Sequence, residues 1–119
     1  LTTGEIKLID FGSSMRMQSN SQDLSECHQY EVISCYSSPE QAGNLERMVD
    51  YRSDLYSLGV VFYFMLTGNL PFQSIEREEL MSTPVPVSKT NPDIPSPLSG
   101  LVKKLMNKIP EDRYQSARG

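Results

Sequence analysis

Between Ser53 and Thr67 the chain places apolar residues on nearly every side of a helix: Leu55, Tyr56, Leu58, Val60, Val61, Phe62, Tyr63, Phe64, Met65 and Leu66. A helix that is apolar all round is a helix buried all round. No other feature constrains the fold as strongly. Either the fold wraps around this helix as a central post, or part of the wrapping lies outside this chain. The run is too short to cross a bilayer, which needs about 20 apolar residues. A core helix is therefore expected, with no membrane insertion by this segment. Ser53 is the expected N-cap, Asp54 suits the positive helix end, and Gly68 is the expected left-handed stop.

A second helix is predicted from Ser96, with Ser96 as N-cap and Pro97 in the first turn. Leu98, Leu101, Val102, Leu105, Met106 and Ile109 recur at one-sided helical spacing. Lys103, Lys104 and Lys108 fall opposite that stripe or toward its negative end, and read as a solvated face. Six of the eight prolines lie from Pro84 onward, so residues 84–97 are expected to be irregular connection. Residues 75–81 suggest one or two charged helical turns. Pro39 is expected to open a short helix that Gly43 ends. At the start, Ile6 and Leu8 share one face at period two, which predicts a short strand over Glu5–Ile9. The stretch 13–31 is polar and aperiodic and reads as a long loop, of the kind that is either functional or disordered.

Composition narrows the function classes. The 119 residues correspond to roughly 0.8 of a typical domain. A content of 38% hydrophobic and 22% charged residues argues against wholesale disorder. The net charge of −4 offers no basic face for nucleic acid or an anionic membrane. Cys27 and Cys35 cannot build a disulfide framework, so free thiols in a reducing, cytoplasmic setting are expected. With His28 they lack the spacing of a zinc site, and no Ser-His or Cys-His pair supports nucleophilic catalysis. The chain opens on Leu1-Thr2-Thr3-Gly4 without an initiator Met and stops at Arg118-Gly119. Both ends are expected to be cuts through a larger unit.

One constellation carries chemistry. The predicted strand runs into Asp10-Phe11-Gly12, and the long loop leads to Tyr36-Ser37-Ser38-Pro39-Glu40. Asp54-Leu55-Tyr56-Ser57-Leu58-Gly59 then opens the apolar helix, which ends in Thr67-Gly68-Asn69-Leu70-Pro71-Phe72. Glu111-Asp112-Arg113-Tyr114 follows the second helix. In order and spacing this resembles the C-terminal lobe of a eukaryotic-type Ser/Thr protein kinase, from the magnesium-binding loop onward, over essentially residues 1–119. The wording of these motifs looks most like the kinase-like domain of large hybrid sensor histidine kinases. The fold implied is mainly α: a short strand, an activation segment, a central hydrophobic helix and further helices.

The resemblance assigns roles. Asp10 would hold the Mg²⁺ that bridges the ATP phosphates, with Phe11 behind the site and Gly12 at the turn. Ser13 to Ser37 would form the activation segment, with Ser19, Ser21 and Ser25 as candidate phosphate acceptors. Ser38, Pro39 and Glu40 would anchor that segment, and Glu40 would form an ion pair with Arg113. Asp54 would support the backbone of the catalytic loop. ATP and Mg²⁺ would bind only with the missing part of the domain. The implied partners are the rest of the kinase domain and a protein substrate or signalling partner.

Departures from the pattern matter. The family usually reads Gly-Thr where this chain reads Val32-Ile33, and the segment after Phe72 looks shortened. The Gly-rich loop, the strand lysine and the His-Arg-Asp catalytic loop lie upstream in the family and are absent here. These residues alone are therefore expected to be inactive. Two readings stand: part of a Ser/Thr kinase domain active in the full protein, or part of a pseudokinase serving as a regulatory interaction module. A small helical interaction domain unrelated to kinases would need four ordered motifs to arise by chance.

Overall fold

The apolar run folds as helix α1, Tyr51–Thr67, in a computed structural model that describes residues 4, 6–12, 14, 35–72 and 77–118. The chain divides into two units, 1–32 and 33–119. In the second, α1 is followed by α2 (Arg77–Met81), α3 (Val87–Thr90), α4 (Ser96–Leu105) and a 3-10 turn, Pro110–Asp112.

The cap of α1 is Asp50 rather than Ser53. Asp50 has an extended backbone (φ −138°), and its carboxylate accepts the Arg52 N–H at 2.8 Å. A first-turn donor is thereby satisfied one turn earlier than predicted. Ser53 lies inside the helix and is buried. At the other end Gly68 adopts φ 72°, and its N–H reaches Phe64 O at 2.8 Å, the left-handed stop that only glycine takes without strain.

The helix is buried on one face only. Ser53, Tyr56, Gly59, Val60 and Tyr63 form that face, whereas Leu58, Val61, Phe64 and Met65 are 39–72% exposed. Burial all round is not met among the described residues. The reason is the count of partners: α3 and α4 both pack on α1 from the buried side. Gly59 marks the closest approach to α4. A Cβ there would stand 2.8 Å from Leu105 Cβ and Met106 Cγ, so a side chain would push the helices apart.

The core joins Tyr56, Val60 and Tyr63 of α1 to Phe72, Leu80 of α2, Val87 of α3, Val102 of α4 and Met106 at the C-cap of α4. Val102 and Leu105 of the predicted stripe are buried, but α4 ends at Leu105. Ile109 lies beyond the helix and is exposed. Ser96 stands inside α4, whose cap position is Pro95. The proline-rich connection is not wholly irregular, since it holds α3. That short helix is tied down by Asn91 Nδ2 donating to Leu66 O and by the Ser88 N–H donating to Ser99 Oγ. In place of a helix from Pro39, residues 38–44 form a turn closed by the Ala42 N–H on Ser38 O and the Asn44 N–H on Pro39 O, with Gly43 at φ 69°.

In the first unit residues 6–10 form no strand, and Ile6, Leu8 and Ile9 are exposed. A strand exists only when its N–H and C=O groups pair with a neighbour. No strand occurs among the described residues, so the pattern finds no ladder to join. The fold is mainly α.

Candidate functional site

Glu40 is presented by the turn over residues 38–44. The N–H and Oγ of Ser38 both donate to Gln41 Oε1 at 3.0 Å, which rigidifies the turn. Ser38, Pro39 and Glu40 are buried. From the far end of the chain, Arg113 follows the 3-10 turn, where its own N–H donates to Pro110 O. These two local structures bring together side chains 73 positions apart.

The contact is bidentate. Arg113 Nη1 donates to Glu40 Oε1 at 2.6 Å and Nη2 donates to Oε2 at 2.7 Å. The remaining guanidinium donors are also used. Nη1 reaches Arg52 O at 3.0 Å, Nη2 reaches Lys108 O at 3.0 Å, and Nε reaches Asn107 O at 2.7 Å. All five N–H groups of the planar fork therefore have acceptors. The guanidinium carbon lies 5.0 Å from the centroid of the Tyr56 ring. Arg113 is 2% exposed and Glu40 5%. Burial pushes the Glu40 carboxyl upward, but hydrogen bonds from Arg113 and Ser53, with the Arg113 charge, outweigh it and hold the group below the usual carboxylate range.

Two serines of α1 extend this clasp. Ser53 Oγ donates to Glu40 Oε1 at 2.7 Å. One turn later Ser57 Oγ donates to Tyr36 O at 2.9 Å. Segment 36–40 is thus tied to α1 through a backbone carbonyl and a carboxylate. Sequence reasoning missed both roles. The available signal was their spacing, since two serines four apart on an otherwise apolar helix share a face. Around the clasp lies a wetter layer. Arg47 Nη1 pairs with Glu111 at 2.9 Å, Arg52 pairs with Asp50 at 2.7 Å, and Tyr51 Oη donates to Gln115 O at 3.2 Å.

Asp54, in the first turn of α1, is exposed and stands outside the clasp. In the first unit, Asp10 has φ 62°, and its Oδ1 accepts the Gly12 N–H at 3.4 Å. Aspartate tolerates this left-handed backbone better than most residues because its short carboxylate bonds locally. Ser14 closes the turn through its N–H and Oγ on Phe11 O at 3.0 and 2.6 Å. Phe11 is exposed. Among the described residues no three Asp, Glu, His or Cys side chains gather as a metal site. The exposed Asp10 carboxylate suits a single ligand position. That is compatible with Mg²⁺, which takes one or two carboxylates and completes its shell with phosphate and water oxygens. Ser19, Ser21 and Ser25, and the Val32-Ile33 departure, lie outside the described residues.

Residues 1–118 match the family described as the protein kinase domain. The chain is 49% identical to the hybrid signal transduction histidine kinase G of Dictyostelium discoideum over 89 residues, 71% of this chain and 3% of that protein. It is 36% identical over 120 residues to a probable serine/threonine-protein kinase of Clostridium perfringens, covering 97% of this chain and 17% of that one. It is 34% identical over 120 residues to the serine/threonine-protein kinase PknB of Mycobacterium tuberculosis, covering 97% and 19%. The chain therefore spans no more than about a fifth of the length of these relatives.

Proposed function

This chain belongs to the protein kinase domain family, and on that premise we propose that it forms the later part of a kinase C-terminal lobe. The complete domain would bind Mg-ATP and transfer the γ-phosphoryl group to Ser or Thr hydroxyls of a protein in signalling. Residues 1–119 are one part of that domain, and the phosphate clamp and catalytic base come from the part that precedes it. On this reading the isolated residues are inactive.

The observation that carries the reading is the five-donor Arg113 clasp on Glu40, with segment 36–40 tied to α1. Positioning is most of what a phosphoryl-transfer protein supplies. A segment fixed through a buried ion pair can serve as a rigid floor beside a substrate hydroxyl. Asp10 supplies one oxygen ligand from its turn, and Gly12 leaves room for that turn. Asp54, exposed at the start of α1, is free to receive backbone N–H groups of the preceding segment. Asp10 would help hold a magnesium ion bound with ATP, which would supply neutralisation of the charge developing on the transferred group.

A second reading, a pseudokinase module of a multidomain sensor protein, is favoured by Val32-Ile33 in place of Gly-Thr and by the hybrid histidine kinase relative. Incubating the full-length protein with labelled Mg-ATP and a generic protein substrate separates the two. The kinase reading expects label on Ser or Thr, reduced roughly 100-fold or more by Asp10→Asn and lost on chelation of magnesium. ATP binding without any label transfer would support the pseudokinase reading instead.

A further inference from the structure

Lys108 lies between α4 and the 3-10 turn, and its backbone carbonyl is one of the acceptors of Arg113. The residue is half-buried, with its amine turned inward. Nζ is buried and has no hydrogen-bond partner among the described residues. It stands 3.9 Å from the centroid of the Phe72 ring and 5.7 Å from that of Tyr56. Tyr56 also carries the Arg113 guanidinium at 5.0 Å. Two basic side chains thus share one aromatic ring, and among the described residues only Arg113 has a carboxylate. An ammonium has three donors to satisfy. Ring faces attract a cation but replace only part of its hydration.

We infer that Lys108 is a proton-operated latch on the turn 106–113. The neutral amine packs between Phe72 and Tyr56 and holds the turn closed. Protonation places a charge without an acceptor beside Arg113 and loosens the turn. Among the described residues, the groups facing the amine leave no other source of compensation. Phe72 carries no charge. From α1 comes the Tyr56 phenol, whose Oη is itself buried without a partner and which burial keeps in its neutral form. After the 3-10 turn comes Arg113, positive at every accessible pH. Glu40, from the turn 38–44, is engaged by both Nη atoms of Arg113 and by Ser53.

Burial, then repulsion from Arg113, pulls the amine down from 10.5 to about 8. In an opened turn the amine meets water and titrates near its ordinary value. Between these two values the opened turn binds more protons than the closed one. Closing is therefore favoured as pH rises through about 8. The latch makes no use of ATP or phosphoryl transfer, so it stands apart from the function proposed above.

Hydrogen–deuterium exchange of the full-length protein tests it, read as protection factors for peptides spanning 105–113 and corrected for the intrinsic rate at each pH. Protection is expected to rise about tenfold from pH 7 to pH 9. Lys108→Met should give the high value at both pH values. Lys108→Arg, whose charge no accessible pH removes, should give low protection at both. A wild-type turn with no rise would overturn the proposal. So would a Met or Arg variant that keeps the same rise.

Discussion

Two ion pairs join the same stretches of chain, residues 40–47 and 111–113, in opposite surroundings. Arg113–Glu40 is dry, with side chains 0% and 1% exposed. Arg47–Glu111 is wet, at 51% and 49%. Their closest N···O distances differ little, 2.6 and 2.9 Å, so contact length does not separate them. Saturation does. Every donor of Arg113 has an acceptor, whereas water can take over from either partner of the outer pair. The inner pair is costly to break because each half would be stranded, and the outer pair is cheap because neither would be.

The comparison can be broken most severely at Arg113. Arg113→Ala would strand the buried Glu40 carboxylate and three carbonyls. A loss of about 3–5 kcal/mol is expected, read by denaturant unfolding of the full-length protein. Acid attacks the same pair without mutation. The Glu40 carboxyl titrates below its ordinary 4.5 in the folded state. Its stabilisation is fully present above that value and is lost as pH falls through the lowered one. A Glu40→Gln variant should show a flatter acid limb in the same assay.

Smaller changes sharpen the contrast. Ser53→Ala removes one donor from Glu40 while Arg113 remains, and about 1 kcal/mol is expected. Asp50→Ala removes the cap of α1 and the partner of Arg52, also worth about 1 kcal/mol by thermal unfolding. Arg47→Ala should cost no more than about 0.5 kcal/mol, a difference that moderate salt should erase.

Much of this frame is legible in the residues, and the failures share a cause. The stripe through Val102 and Leu105, and the glycine stop at Gly68, are local signals that the structure keeps. Ser53 looks like a cap because serine usually is one. Tertiary contact recruits it to Glu40, and the helix runs back to Asp50. Lys108 reads as a solvated lysine on the outer face of α4. The helix has already ended at Leu105, so helical spacing no longer predicts where Lys108 points. The apolar circumference of α1 suggests burial on all sides, and among the described residues one face is covered. The strand over residues 5–9 needs a neighbour that period-two spacing cannot supply.

Burial and donor saturation make Glu40–Arg113 the lock of residues 33–119. A double-mutant cycle on Glu40→Gln and Arg113→Met, set beside one on Arg47→Ala and Glu111→Ala, measures this directly. The inner pair should couple by about 2 kcal/mol or more and the outer pair by less than about 0.5 kcal/mol. Equal coupling in the two cycles, or an inner value near zero, would contradict the account.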